Sequence, residues 1–97
     1  MNTLFFKPAL SLISQIVEDE LKLTPAQITS RRLTKSKNQT CKLTYKFVDN
    51  NSVYDLMNFN IDITTNIEER LVALGYEVDF IGMHIDRGLY IEFDTSK

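Results

Sequence analysis

The sequence predicts a small α+β domain, and three patterns carry that assignment. Apolar residues recur at spacings of three and four before Leu21 and again after Thr65, the period of a helix with one buried face. They alternate strictly with polar residues from Cys41 to Phe47 and from Tyr76 to Phe80, the period of a half-buried strand. Clusters of Asn, Asp, Ser, Gly and Pro punctuate these stretches. The expected order is α-α-β-β-α-β-β, two antiparallel hairpins packed against helices, with residues 1–97 forming a single domain. Ninety-seven residues, 43% of them hydrophobic, suffice for one modest core and not for two.

Taken in order, Ala9, Leu10, Leu12, Ile13, Ile16, Val17 and Leu21 mark an amphipathic helix from Pro8 to about Leu21, with proline suited to its first turn. Glu18, Asp19 and Glu20 sit where the helix dipole disfavours anions, so cations are expected beside them, and Arg31 and Arg32 are the candidates. Thr24-Pro25-Ala26-Gln27 has the form of a capping box and predicts a short second helix to about Leu33. A polar, basic loop from Thr34 to Thr40 leads to the strand Cys41–Phe47. Asp49-Asn50-Asn51-Ser52 reads as a turn and Val53 to Phe59 as the returning strand, in a register the sequence leaves open. Thr65-Asn66-Ile67-Glu68 is a second capping box, predicting a helix that ends at Gly75. The last hairpin turns at Asp86-Arg87-Gly88, and a shift of apolar phase places a β-bulge at Gly82. The core expected from these phases is Leu12, Ile13, Ile16, Val17, Leu43, Phe47, Leu71, Leu74, Val78 and Ile91.

Charge is distributed less evenly than the net value of −2 suggests. Residues 21–48 hold seven basic and no acidic side chains, whereas residues 49–97 hold ten acidic and three basic ones. Such a chain is dipolar, with a concentrated basic surface. One cysteine, Cys41, excludes an internal disulfide and suits a reducing, cytoplasmic setting. Lys7-Pro8 interrupts the apolar start Leu4-Phe5-Phe6, and no apolar run approaches the roughly 20 residues of a bilayer span, so neither a signal peptide nor a membrane helix is expected.

Catalytic chemistry finds little to work with. His84 is the only histidine and has no second ligand nearby in sequence, and Cys41 lies on the apolar phase of its strand. The three glycines are accounted for by a cap, a bulge and a turn, which leaves no phosphate loop. No cofactor, no metal and no enzymatic activity are therefore expected. The basic stretch is the stronger lead: Arg31, Arg32, Lys35, Lys37, Lys42 and Lys46 form an anion-binding strip suited to phosphates, with Tyr54, Asn58 and Asn60 beside it in one hairpin register. The competing reading is an acidic protein-binding inhibitor or adaptor that occupies a basic surface of a nucleic-acid-processing protein through Glu77, Asp79, Asp86 and Glu92. Open strand edges also offer a route to a homodimer.

Residues Ile16 to Arg32 resemble the start of the DNA-binding domain of bacterial replication initiators, which likewise runs a helix into a Val/Leu-Thr turn and a short helix ending in Ser-x-Arg-Arg. The resemblance covers less than a fifth of the chain, lacks the family's downstream helices and DNA-reading motif, and transfers no function.

Overall fold

The alternation of Cys41, Leu43, Tyr45 and Phe47 builds one of the two central strands of a four-stranded antiparallel sheet in the computed structural model, which describes residues 3–35 and 40–94, with side chains from residue 10 onward. The elements are α1 (Thr3–Leu21), a 3₁₀ turn (Pro25–Gln27), β1 (Ile28–Lys35), β2 (Thr40–Phe47), α2 (Asn50–Phe59), α3 (Ile61–Ala73), β3 (Glu77–His84) and β4 (Gly88–Asp94). The sheet order is β1-β2-β4-β3, so the two hairpins β1–β2 and β3–β4 join through their second strands. The chain is thus an α+β fold of two antiparallel hairpins packed against helices. Its order is α-α-β-β-α-β-β when the 3₁₀ turn counts as the second helical element and α2–α3 as one helical arm broken at Asn60.

Two segments fold differently from their sequence patterns. The capping box at Thr24 does form: Gln27 Oε1 accepts the Thr24 amide at 2.9 Å, and the Gln27 amide donates to the Thr24 carbonyl at 3.0 Å, closing a single 3₁₀ turn. The chain then extends into β1 instead of continuing as a helix to Leu33, because Ile28, Thr29 and Ser30 are poor helix formers, and Ile28 and Ser30 pair with Phe47 and Lys46 of β2 across a bulge at Thr29. The second helix implied by the likeness to replication initiators is therefore not there. Val53–Phe59 is helical, not a returning strand. Asp49 Oδ1 accepts the Ser52 amide at 3.2 Å and Oδ2 the Ser52 hydroxyl at 2.7 Å, an N-cap that starts α2 and buries Val53 and Met57. The Thr65 box lies inside α3, which begins at Ile61.

Both hairpin-bearing halves are terminated by the same device. After α1 the Lys22 amide bonds the Asp19 carbonyl and the Leu23 amide the Glu18 carbonyl, with Lys22 at φ 55°. After α3 the Gly75 amide bonds Val72 and the Tyr76 amide Leu71, with Gly75 at φ 99°. Each pair is a Schellman cap that satisfies the last carbonyls of the helix and turns the chain back toward the sheet.

The core is one cluster between the helices and one sheet face: Ile13, Ile16, Val17 and Leu21 of α1, Val53 and Met57 of α2, Ile67 and Leu71 of α3, and the inward residues of β2 and β4. Leu12 and Leu74, expected inside, are 45% and 46% exposed, because each sits beyond the edge of its helix's buried stripe. The bulge falls at Asp79, between Val78 and Phe80, and not at Gly82. Among the described residues no helix is long and apolar enough to cross a membrane.

Candidate functional site

Since the helices cover one face of the sheet, the outward phase of every strand is collected on the other. Cross-strand registers set the order of side chains there. Ser30 lies beside Lys46, Arg32 opposite Thr44 and Thr34 opposite Lys42 on the β1 side. Thr44 in turn faces Tyr90, Lys42 faces Glu92 and Thr40 faces Asp94 on β4, and β3 adds Gly82 opposite Tyr90 and Phe80 opposite Glu92. Arg32, Lys42 and Lys46 therefore surround Thr44. The Cα atoms of Lys42 and Lys46 lie about 13 Å apart along the strand, with Arg32 one strand over between them. All three side chains are exposed, and among the described residues none makes an ion pair.

Arg31 is directed the other way. Adjacent strand residues point to opposite faces, so Arg31 reaches the helical side, where its Nε donates to Glu18 Oε2 at 2.9 Å. Tyr45 Oη donates to the same oxygen at 2.8 Å, and the Arg31 guanidinium stands 6.0 Å from the Tyr45 ring centroid. One carboxylate oxygen thus ties α1 to β1 and β2. An open groove of about 540 Å³ between α1 and β1 borders this trio, lined in part by Leu10, Leu23 and Asp19. Burial, followed by the adjacent Glu18 carboxylate, pushes the Tyr45 hydroxyl up to about 12. A tyrosine raised in the folded state stabilises the fold fully below its ordinary value of about 10, and that contribution is lost as pH rises through 12. Alkaline unfolding followed by tyrosinate absorbance should accordingly show stability falling between pH 10 and 12, and Tyr45→Phe should flatten that fall. An unchanged alkaline profile in Tyr45→Phe would contradict the assignment.

The remaining anions of α1 are met by a cation absent from the sequence-based candidates. Arg70 of α3 bonds Glu20 at 3.0 Å and lies 3.6 Å from Asp19, while Asn66 Nδ2 donates to Glu20 at 3.2 Å. Arg32 takes no part.

At one end of the open face the charge reverses. Glu77, Asp79, Glu92 and Asp94 gather where β3 begins and β4 ends, and Asp79 is held above the usual carboxylate range by lost hydration and then by the fields of Asp94, Glu92 and Glu77. Asp86 is remote from them, in the β3–β4 turn, where its amide donates to His84 Nδ1 at 3.1 Å. Among the described residues no group of three His, Cys, Asp or Glu side chains is placed to hold a metal.

Of the basic strip, the fold therefore brings together Arg32, Lys42 and Lys46 and sends Arg31 to the opposite face. Lys35, opposite Cys41 at the end of β1, belongs to the phase of Arg31, and Lys37 lies outside the described residues. Tyr54 and Asn58 ride on α2, which packs on the helical side, so they do not flank Lys42 and Lys46. The open face carries instead two aromatics that the sequence pattern did not single out, Phe80 and Tyr90. Tyr90 was legible from its alternation with Leu89 and Ile91; Phe80 was not, because the bulge at Asp79 reverses its phase. No protein-family model, curated protein or solved structure matches the chain.

Proposed function

We propose that this protein is a non-enzymatic, cytoplasmic nucleic-acid-associated regulator or accessory factor that holds a phosphate backbone on the open face of its sheet. The observation that supports the reading is the placement of Arg32, Lys42 and Lys46 around Thr44, all exposed and without ion-pair partners among the described residues. The sheet fixes the spacing of the three positions, and each cation that neutralises a phosphate releases condensed counterions. The arginine adds a fork that fits phosphate oxygens.

Binding to labelled DNA and RNA across a salt series tests this. The combined variant Arg32→Glu, Lys42→Glu, Lys46→Glu should abolish binding, and Lys42→Gln alone should flatten the salt dependence by about one unit of slope. Arg31→Gln should leave affinity unchanged, since that side chain faces the helices. Absence of binding by the wild-type chain at low salt would overturn the reading. It would favour the alternative, an adaptor or inhibitor presenting Glu77, Asp79 and Glu92 to a basic protein surface, which has its own support in the gathering of these carboxylates with Asp94 where β3 begins and β4 ends.

A further inference from the structure

The open face combines its cations with an aromatic platform, and this combination narrows the kind of nucleic acid it suits. Phe80 is 53% exposed although it stands mid-strand. Its ring lies over the backbone of Gly82, where an added Cβ would come within 2.7 Å of two ring carbons. Tyr90 stands beside it, ring centroids 6.0 Å apart and planes inclined at 53°. Glycine at position 82 is what allows the Phe80 ring to lie down along the sheet and present a flat surface to solvent. Tyr90 is also the cross-strand neighbour of Thr44, so the platform begins one strand, about 5 Å, from the centre of the cation triangle.

We infer that the face takes single-stranded nucleic acid, with unpaired bases stacked on Phe80 and Tyr90 and the phosphate backbone running along Arg32, Lys42 and Lys46. The inference rests on the nucleic-acid reading proposed above. Two features of the face set this orientation. Glu92 stands on β4 between Lys42 and Phe80 and accepts from Tyr90 Oη at 3.4 Å, with Glu77, Asp79 and Asp94 beside it; these carboxylates repel phosphates, so the backbone is held on the β1–β2 side and the bases point across β4 at Tyr90 toward β3. Stacking on an aromatic ring, in turn, requires a base face that is free. In a duplex those faces are occupied by neighbouring pairs, so a duplex reaches the cations and leaves the platform unused.

Equilibrium binding of a mixed-sequence oligonucleotide, as a single strand and as its duplex, separates the possibilities. The single strand should bind at least about ten-fold tighter than the duplex. Phe80→Ala should weaken single-strand binding by about ten-fold with the salt slope unchanged, because a stacking contact releases no counterion. The chain has no tryptophan, so Phe80→Trp supplies a single fluorophore at the platform; it should retain affinity and be quenched by the single strand. Chemical unfolding of both variants should match the wild type, as the side chain is half exposed. Equal affinity for single strand and duplex, together with an unaffected Phe80→Ala, would overturn the stacking inference while leaving the basic face as a polyanion site. Failure of both nucleic acids to bind at low salt would overturn the functional reading and this inference with it.

Discussion

Gly88→Ala should cost this protein about 4 kcal/mol of stability or more. Gly88 opens β4 at φ 94°, and a Cβ added there would overlap the Tyr45 carbonyl oxygen and come within 3.0 Å of its carbon. Both clashes are with backbone of β2, the strand paired on both sides by β1 and β4, so relief requires opening the ladder that joins the two hairpins. Left-handed backbone alone costs an L-residue about 1–2 kcal/mol, and the backbone clash raises the expected loss to about 4 kcal/mol or more. Domains of this size hold together with about 5–15 kcal/mol, so the variant should keep only a reduced margin and unfold at a much lower urea concentration. Gly75→Ala provides the control: its φ is also positive, but nothing lies within 4 Å of the added Cβ, and only the backbone cost of about 1–2 kcal/mol is expected. Urea unfolding of the two variants side by side checks the comparison. A Gly88→Ala loss no greater than that of Gly75→Ala would show that β4 does not approach Tyr45 as described.

Phe93→Ala is expected to cost about 3–5 kcal/mol. Phe93 is fully buried, lies between Cys41 of β2 and Val78 of β3, and meets the Tyr76 ring edge-on at 5.3 Å between centroids. Removing the ring empties space where the sheet meets the helices, and surrounding strands held by their ladders cannot collapse into it. Leu12→Ala, at a position that periodicity places in the core but the structure leaves 45% exposed, should cost less than about 1 kcal/mol. Equal losses at the two sites would mean that the buried stripe of α1 has been assigned to the wrong face.

Legibility differed from one segment to the next, and the differences have physical causes. β2 was readable because seven residues alternate without a fault and both its neighbours are strands, so local pattern and tertiary demand agree. β1 was not. Its only apolar residues, Ile28 and Leu33, have no strand period, and one inward position is taken by Arg31, whose charge is accepted only because Glu18 waits on α1. For α2, the cluster Asp49-Asn50-Asn51-Ser52 is equally good as a turn and as a helix cap. Burial of Val53 and Met57 against the core settles it as a cap.

The candidate site divides in the same way. Charge asymmetry located a cationic region in residues 31–46 without reference to any fold. Alternation in β2 already placed Lys42 and Lys46 on one face, but which arginine joins them was beyond sequence reach, because it depends on the parity of positions in a strand, 28–35, that the sequence reads as a helix and loop. That strand assignment separates Arg31 from Arg32, neighbours in sequence, onto opposite faces of the sheet. Parity also brings Phe80 out: the extra residue at Asp79 reverses the face of everything before it in β3.

By itself, then, the sequence determined the α+β class, the β3–β4 hairpin with its turn, the Gly75 cap and the existence of a basic region, since each follows from local periodicity, glycine stereochemistry or charge count. Only the tertiary structure decided that residues 28–35 are a strand, that residues 53–59 are a helix, and that Arg32, Lys42, Lys46, Tyr90 and Phe80 share one face. Those outcomes turn on cross-strand pairing and on burial against distant residues, interactions between segments far apart in the chain that no local pattern encodes.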